Sequence, residues 1–253
     1  MARHFFPSMH IVGLDCATQP RKTGLALATL DGSGLAVHEA RTLAPREDAA
    51  RTIADWLAAS PRALLALDAP LGWPAPMGEA LAEHRAGGSL APTPDAMFSR
   101  ETDHVVWRAT GKKPLEVGAG WLARTAHAAL SVLARVRQHV EVEMGWTPGD
   151  VHARQALEVY PASVLISRGL SGAGYKRPSG TAERRAILNG LAVDLPESVR
   201  QPAIATDHVL DAILCCVAAM DYARGDVLTP EAVGVDAATA HREGWIWFRQ
   251  PAA

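Results

Sequence analysis

Two short apolar runs constrain this chain more than any other feature. Ile11-Val12-Gly13-Leu14 and Ala63-Leu64-Leu65-Ala66-Leu67 each lead directly into a carboxylate, Asp15 and Asp68. An ionised carboxylate at the end of a buried strand is costly unless it is paired. The carboxyl ends of strands are also where open α/β sheets build their sites. Between these runs, residues 23–30 and 35–42 read as extended. They are bounded by the polar turns Gln19-Pro20-Arg21-Lys22 and Asp31-Gly32-Ser33-Gly34. Residues 46–59 place Ala50, Ile53, Ala54 and Leu57 at helical spacing after Pro45. A helix that leads into a second continuous apolar run predicts a crossover into a parallel, buried strand. If the strands ending in Asp15 and Asp68 are neighbours, both carboxylates meet at one rim. Taken singly, each aspartate also fits a plain turn cap.

The rest of the chain is less regular. Residues 69–114 are rich in proline and glycine, with a short helix expected at 77–85. So long an irregular stretch is uncommon in a compact domain and often functional. Residues 121–140 form a predicted helix with Leu122, Ala126, Ala129, Leu133 and Val136 on one face. Residues 156–160 read as a strand stopped by Pro161. Residues 169–180 are a loop carrying Tyr175-Lys176-Arg177, and 181–191 a helix capped by Thr181. Residues 207–224 are a second strong helix, and 243–248 a last short strand.

Asp207 and Asp211 are spaced i, i+4 and so share a helix face. Asp207 suits the positive first turn of that helix. Asp211 lies one turn further in, among Leu210, Ala212, Ile213 and Leu214, and calls for a cation or a metal. Glu158 sits inside its strand, on the face shared by Ala156 and Tyr160. A group of acids from separate elements suits a hard divalent cation such as Mg²⁺. The ten histidines show no zinc-like spacing, and the three cysteines, two of them adjacent, form no CxxC pair. They also argue against a disulfide framework and for a reducing cytoplasm. A net charge of −2 does not announce a nucleic-acid binder. No apolar run reaches the roughly 18 residues of a membrane span, and residues 1–9 lack the apolar core of a secretory signal. The tryptophans at 73, 107, 121, 146, 245 and 247 read mainly as hydrophobic anchors. Those in the tail, if exposed, permit a homodimer.

The ordered motifs Gly13-Leu14-Asp15, Leu67-Asp68-Ala69-Pro70-Leu71-Gly72, Glu158-Val159-Tyr160-Pro161, Tyr175-Lys176, Asp207-His208-Val209-Leu210-Asp211-Ala212 and Glu243-Gly244-Trp245-Ile246 span nearly the whole chain. Together they resemble the domain-of-unknown-function family 429, described as ribonuclease H-like nucleases on the strength of fold and acids. The resemblance implies an α/β, ribonuclease H-like mixed sheet: three antiparallel strands, a crossover helix, then parallel strands, with helices on both faces. It implies one domain over residues 1–253, with a loop- and helix-containing insertion at 70–150. Asp15 would then face Asp68, and the acid near the start of the last helix would complete the group.

The activity implied is metal-dependent phosphodiester hydrolysis, with Mg²⁺ or Mn²⁺ as cofactor, the two ions about 4 Å apart. Asp15, Asp68, Glu158 and Asp211 would be catalytic, and these four with Asp207 would hold metal. Arg100, Lys176 and Arg177, with Lys112 and Lys113, would meet phosphates of a nucleic acid or a phosphate ester. Arg100 and Asp103 also fit an ordinary surface ion pair worth under about 1 kcal/mol. A phosphotransferase of the actin or hexokinase type, binding ATP, is the alternative. Gly13-Leu14-Asp15-Cys16-Ala17-Thr18 resembles its first phosphate loop, but no second glycine-rich hairpin follows. A non-catalytic binding protein of the same fold is a third reading.

Overall fold

The computed structural model describes residues 8–118 and 120–251. Residues 1–7, which carry most of the reading on a leader segment, lie outside the described residues. The meander forms as the turns predict: β1 (Met9–Asp15), β2 (Gly24–Asp31) and β3 (Gly34–Thr42) pair antiparallel. Helix α1 (Ala49–Ala58) begins where the Asp48 side chain accepts hydrogen bonds from the backbone N–H groups of Ala50 and Arg51. It returns the chain to β4 (Ala63–Asp68), which lies parallel to β1.

Four helices follow: α2 (Ala75–Ala82), α3 (Pro94–Phe98), α4 (Glu101–Thr110) and α5 (Gly120–Val136). Strands β5 (Glu143–Met144) and β6 (Arg154–Glu158) complete a six-stranded sheet of order β3-β2-β1-β4-β6-β5. The chain ends in α6 (Pro161–Ser167), α7 (Thr181–Gly190), α8 (Glu197–Ala205), α9 (Asp207–Ala223) and α10 (Ala237–Glu243). Three antiparallel strands, a crossover helix and then parallel strands make this the ribonuclease H-like arrangement that the motifs imply.

Strand alternation sorts the core into two layers. Ile11, Leu64, Ala66 and Leu157 face the layer formed largely by α9 and its neighbours. Val12, Leu14, Leu65, Leu67 and Ala156 face α1 and α5, where Ile53, Leu57, Ala129 and Leu133 are buried. Helix α9 is buried along nearly its whole length and lies across β1, β2 and β4. No helix among the described residues is long and apolar enough to cross a membrane.

Three expectations are corrected. The stretch 69–114 is not one irregular segment, because it contains α3 and α4 as well as the short helix. The polar start of α4, Glu101-Thr102-Asp103-His104, hides its buried Val105 and Val106. Residues 243–248 do not form a strand of the sheet. Helix α10 ends at Gly244 with φ +86°, and only Ile246 bridges to Glu158. Trp245 and Trp247 are buried in the core, which removes the reason for a homodimer through exposed tail tryptophans.

Candidate functional site

Register brings the first two acids together. Asp15 and Asp68 are directly paired positions of parallel β1 and β4. Alternation from Ile11 and Ala66 puts both side chains on the α9 face. Helix α9 reaches them because two glycines leave room. A Cβ on Gly13 would lie 2.0 Å from the carbonyl oxygen of Ala212, and one on Gly24 would lie 1.9 Å from that of His208. Any side chain there would push the start of α9 off the sheet. With the helix seated this closely, one ligand oxygen each from Asp15, Asp68 and Asp211 falls within 4.8 Å of the others.

The group is crowded with negative charge. Burial raises the carboxyl of Asp15 to about 6 from its ordinary 3.8, and the hydrogen bond from His208 opposes that rise. His208 Nδ1 lies 2.8 Å from Asp15 Oδ2. Through that bond the carboxylate raises the imidazole above its usual value. Burial holds Asp68 well above the carboxylate range, opposed chiefly by the Lys176 charge. Asp68 accepts no hydrogen bond among the described residues. Asp211 is also raised by burial, although Lys176 Nζ lies 2.7 Å from its Oδ2 and the Tyr175 hydroxyl donates to its Oδ1 at 2.8 Å. Burial alone would lower Lys176, but the three carboxylates hold its ammonium above the ordinary lysine value. An all-oxygen set with one unpartnered carboxylate suits a hard divalent cation. The cysteines are no rivals as nucleophiles: burial and the neighbouring carboxylates hold Cys16 well above the usual thiol range.

Glu158 is not part of this group. It pairs in register with Leu67, not with Asp68, so it points to the other face of the sheet. Its Oε1 lies 2.7 Å from Arg100 Nη2, and its Oε2 lies 3.0 Å from Arg100 Nη1 and 2.9 Å from the Leu71 N–H. Both oxygens are committed, which leaves the carboxylate no free edge for a metal. Its work is to fix the loop that follows Asp68.

Arg100 is corrected with it. The residue is only 1% exposed and donates also to Asp103 and to the carbonyl of Glu243, so it is neither a phosphate contact nor half of a surface pair. Glu243, unsuspected in the sequence, accepts from the N–H groups of Ala75 and Glu101 and so caps both α2 and α4.

Asp207 is the half-buried first residue of α9 and stands outside the grouped ligand atoms, one helical turn from Asp211. Lys176 does reach the acids. Arg177 is exposed and does not line the cavity bordered by Asp15 and Asp68. That cavity has a volume of about 440 Å³. Besides Asp15, Asp68 and Lys176, its lining includes Lys112, Leu115, Leu122, Thr125 and Tyr160. The ammonium of Lys113 is drawn to Asp95 and Glu116, at 3.3 Å each. That of Lys112 has no acidic partner among the described residues. Sequence reasoning missed His208 and the contribution of Leu115, Leu122 and Thr125. The first lay in plain view beside Asp207, and the second had no chemical signal at all.

No curated protein matches the chain. A solved structure, Thermus thermophilus RuvC in complex with Holliday junction substrate, is similar at 12% identity and a TM-score of 0.29, covering 81% of this chain and 93% of that one. The model of the family described as a protein of unknown function, DUF429, matches residues 13–233, from the strand that carries Asp15 to beyond the helix that carries Asp211. With that match over most of its length, the chain belongs to the DUF429 family.

Proposed function

We propose that this protein is a metal-dependent phosphodiester hydrolase, a nuclease, with Asp15, Asp68 and Asp211 as its metal-binding and catalytic carboxylates. The observation that carries this reading is the convergence of three carboxylate oxygens within 4.8 Å at the carboxyl ends of two adjacent strands. These residues suit Mg²⁺ or Mn²⁺, and such an ion supplies Lewis-acid polarisation of a phosphoryl oxygen. The chain's own groups do the rest. His208 orients the Asp15 carboxylate through Nδ1. Tyr175 and Lys176 hold Asp211, and Lys176 balances part of the charge of the group. Lys112 offers a cation to a substrate phosphate in the same cavity. Glu158 and Arg100 act at one remove, by fixing the Leu71 backbone beyond Asp68.

The test is calorimetric titration with Mn²⁺, together with a cleavage assay on single-stranded and duplex DNA and RNA. The wild type should bind the ion at millimolar concentration or below and cleave only when it is present. Asp15→Asn should lose both properties while staying folded, with a melting temperature no lower than that of the metal-free wild type. No heat of binding and no metal-dependent cleavage would sink the reading.

A further inference from the structure

The cavity is wider in character than its acid group, and the remainder of its lining carries information about what enters. We infer that it takes a phosphate ester bearing one compact, largely apolar group, the size of a single nucleotide unit, and not a stretch of paired duplex. The inference rests on the hydrolytic reading above and adds the class of substrate.

Size is the first argument. About 440 Å³ lies in the lower half of the range found for small-molecule sites, roughly 300–1,000 Å³, and leaves no room for a double helix. The second is the lining: away from the acids it is supplied largely by Leu115, Leu122, Val159 and Ile246. Leu115 is 74% exposed. An apolar side chain left this open beside a charged cavity contributes little to the core. Covering it with an apolar group would remove that area from water.

The third argument is charge. Lys112 lines the cavity without an acidic partner among the described residues, which suits an anionic phosphate beside an apolar body. An unpaired base offers its face for such contact, whereas a base stacked inside a duplex does not. A free mononucleotide and the unpaired end of a strand both present this chemistry.

Binding is measured with calcium as the divalent ion. The probes are thymidine 5′-monophosphate, a single-stranded oligothymidylate and a blunt duplex of equal length. The single strand should bind at least about tenfold more tightly than the duplex. Leu115→Ser, on an exposed side chain, should weaken single-strand binding about tenfold and leave the melting temperature and calcium binding unchanged. Lys112→Ala should weaken the mononucleotide and the single strand alike. If the mononucleotide competes at an affinity similar to that of the strand, the source is a free nucleotide; if the strand is much tighter, it is a strand end.

Equal binding of duplex and single strand, or a Leu115→Ser variant that binds every probe as the wild type does, overturns the inference. The two readings fail separately. Metal binding without any nucleotide binding removes only this one. Leu115-dependent nucleotide binding in a protein that takes no divalent ion removes only the hydrolytic one.

Discussion

Two acidic clusters sit around the same cavity and behave in opposite ways. In one, Arg100 is enclosed by Asp103, Glu158 and the Glu243 carbonyl, with side chains only 1–2% exposed and the carboxylates hydrogen-bonded. In the other, Asp15, Asp68 and Asp211 share a lysine that reaches in from a loop with 57% of its side chain exposed. The planar guanidinium satisfies several acceptors at once and is fixed by them. An ammonium on a flexible stem satisfies one acceptor closely and leaves Asp68 unpartnered. The closed cluster is a fastener for the loop after β4 and for the helices α2 and α4. The open one keeps the capacity to take another cation.

Breaking the closed cluster should have the largest effect. Arg100→Met leaves buried carboxylates uncompensated and should cost about 3–5 kcal/mol of stability, read by urea denaturation. If the loss is under about 1 kcal/mol, the two clusters do not differ in kind. Asp68→Asn should do the reverse. Stability of the metal-free protein should hold or rise as repulsion is relieved, while Mn²⁺ affinity should fall by more than about a hundredfold, since even outer partners of a metal ligand are worth 10–100-fold.

The third prediction concerns pH. Asp15 titrates near 6 when folded against an ordinary 3.8, so the folded protein holds the extra proton between those values. Metal-free stability should therefore fall as pH rises from about 4 to about 6, by up to about 3 kcal/mol, and keep falling above that as Asp68, Asp211 and His208, all raised, give up their protons. Asp15→Asn should flatten this part of the profile, and saturating Mn²⁺ should restore stability at neutral pH. A smaller effect is expected for Lys176→Met: a loss of about 1 kcal/mol without metal, since the lysine is half exposed, and recovery on adding Mn²⁺. A loss that metal does not repair would place Lys176 with the fasteners.

Much of the sheet was legible because its signals are local. The turns at Asp31-Gly32 and Gln19-Pro20, the helical spacing of α1 and the unbroken run of β4 each report on a few neighbouring residues. Helices α3, α4, α6, α8 and α10 escaped for equally local reasons. They are short, start at or just after a polar residue or proline, and α8 carries Pro202 inside it. Residues 243–248 looked extended from their aromatics, yet those rings fill the core beneath α9 and do not extend the sheet.

By itself, the sequence determined the meander, the crossover and the carboxylates at the ends of β1 and β4, because patterns of period 2 and 3.6 are written along the chain. Which acids share a cation was decided only by tertiary structure. The pairing of Leu67 with Glu158 turned that glutamate to the opposite face and gave it to Arg100. The closeness of α9 over Gly13 and Gly24 gave Asp211 to Asp15 and Asp68. Strand register and helix approach are set by contacts distant in sequence, and a carboxylate is available to a metal only where those contacts leave it without another partner.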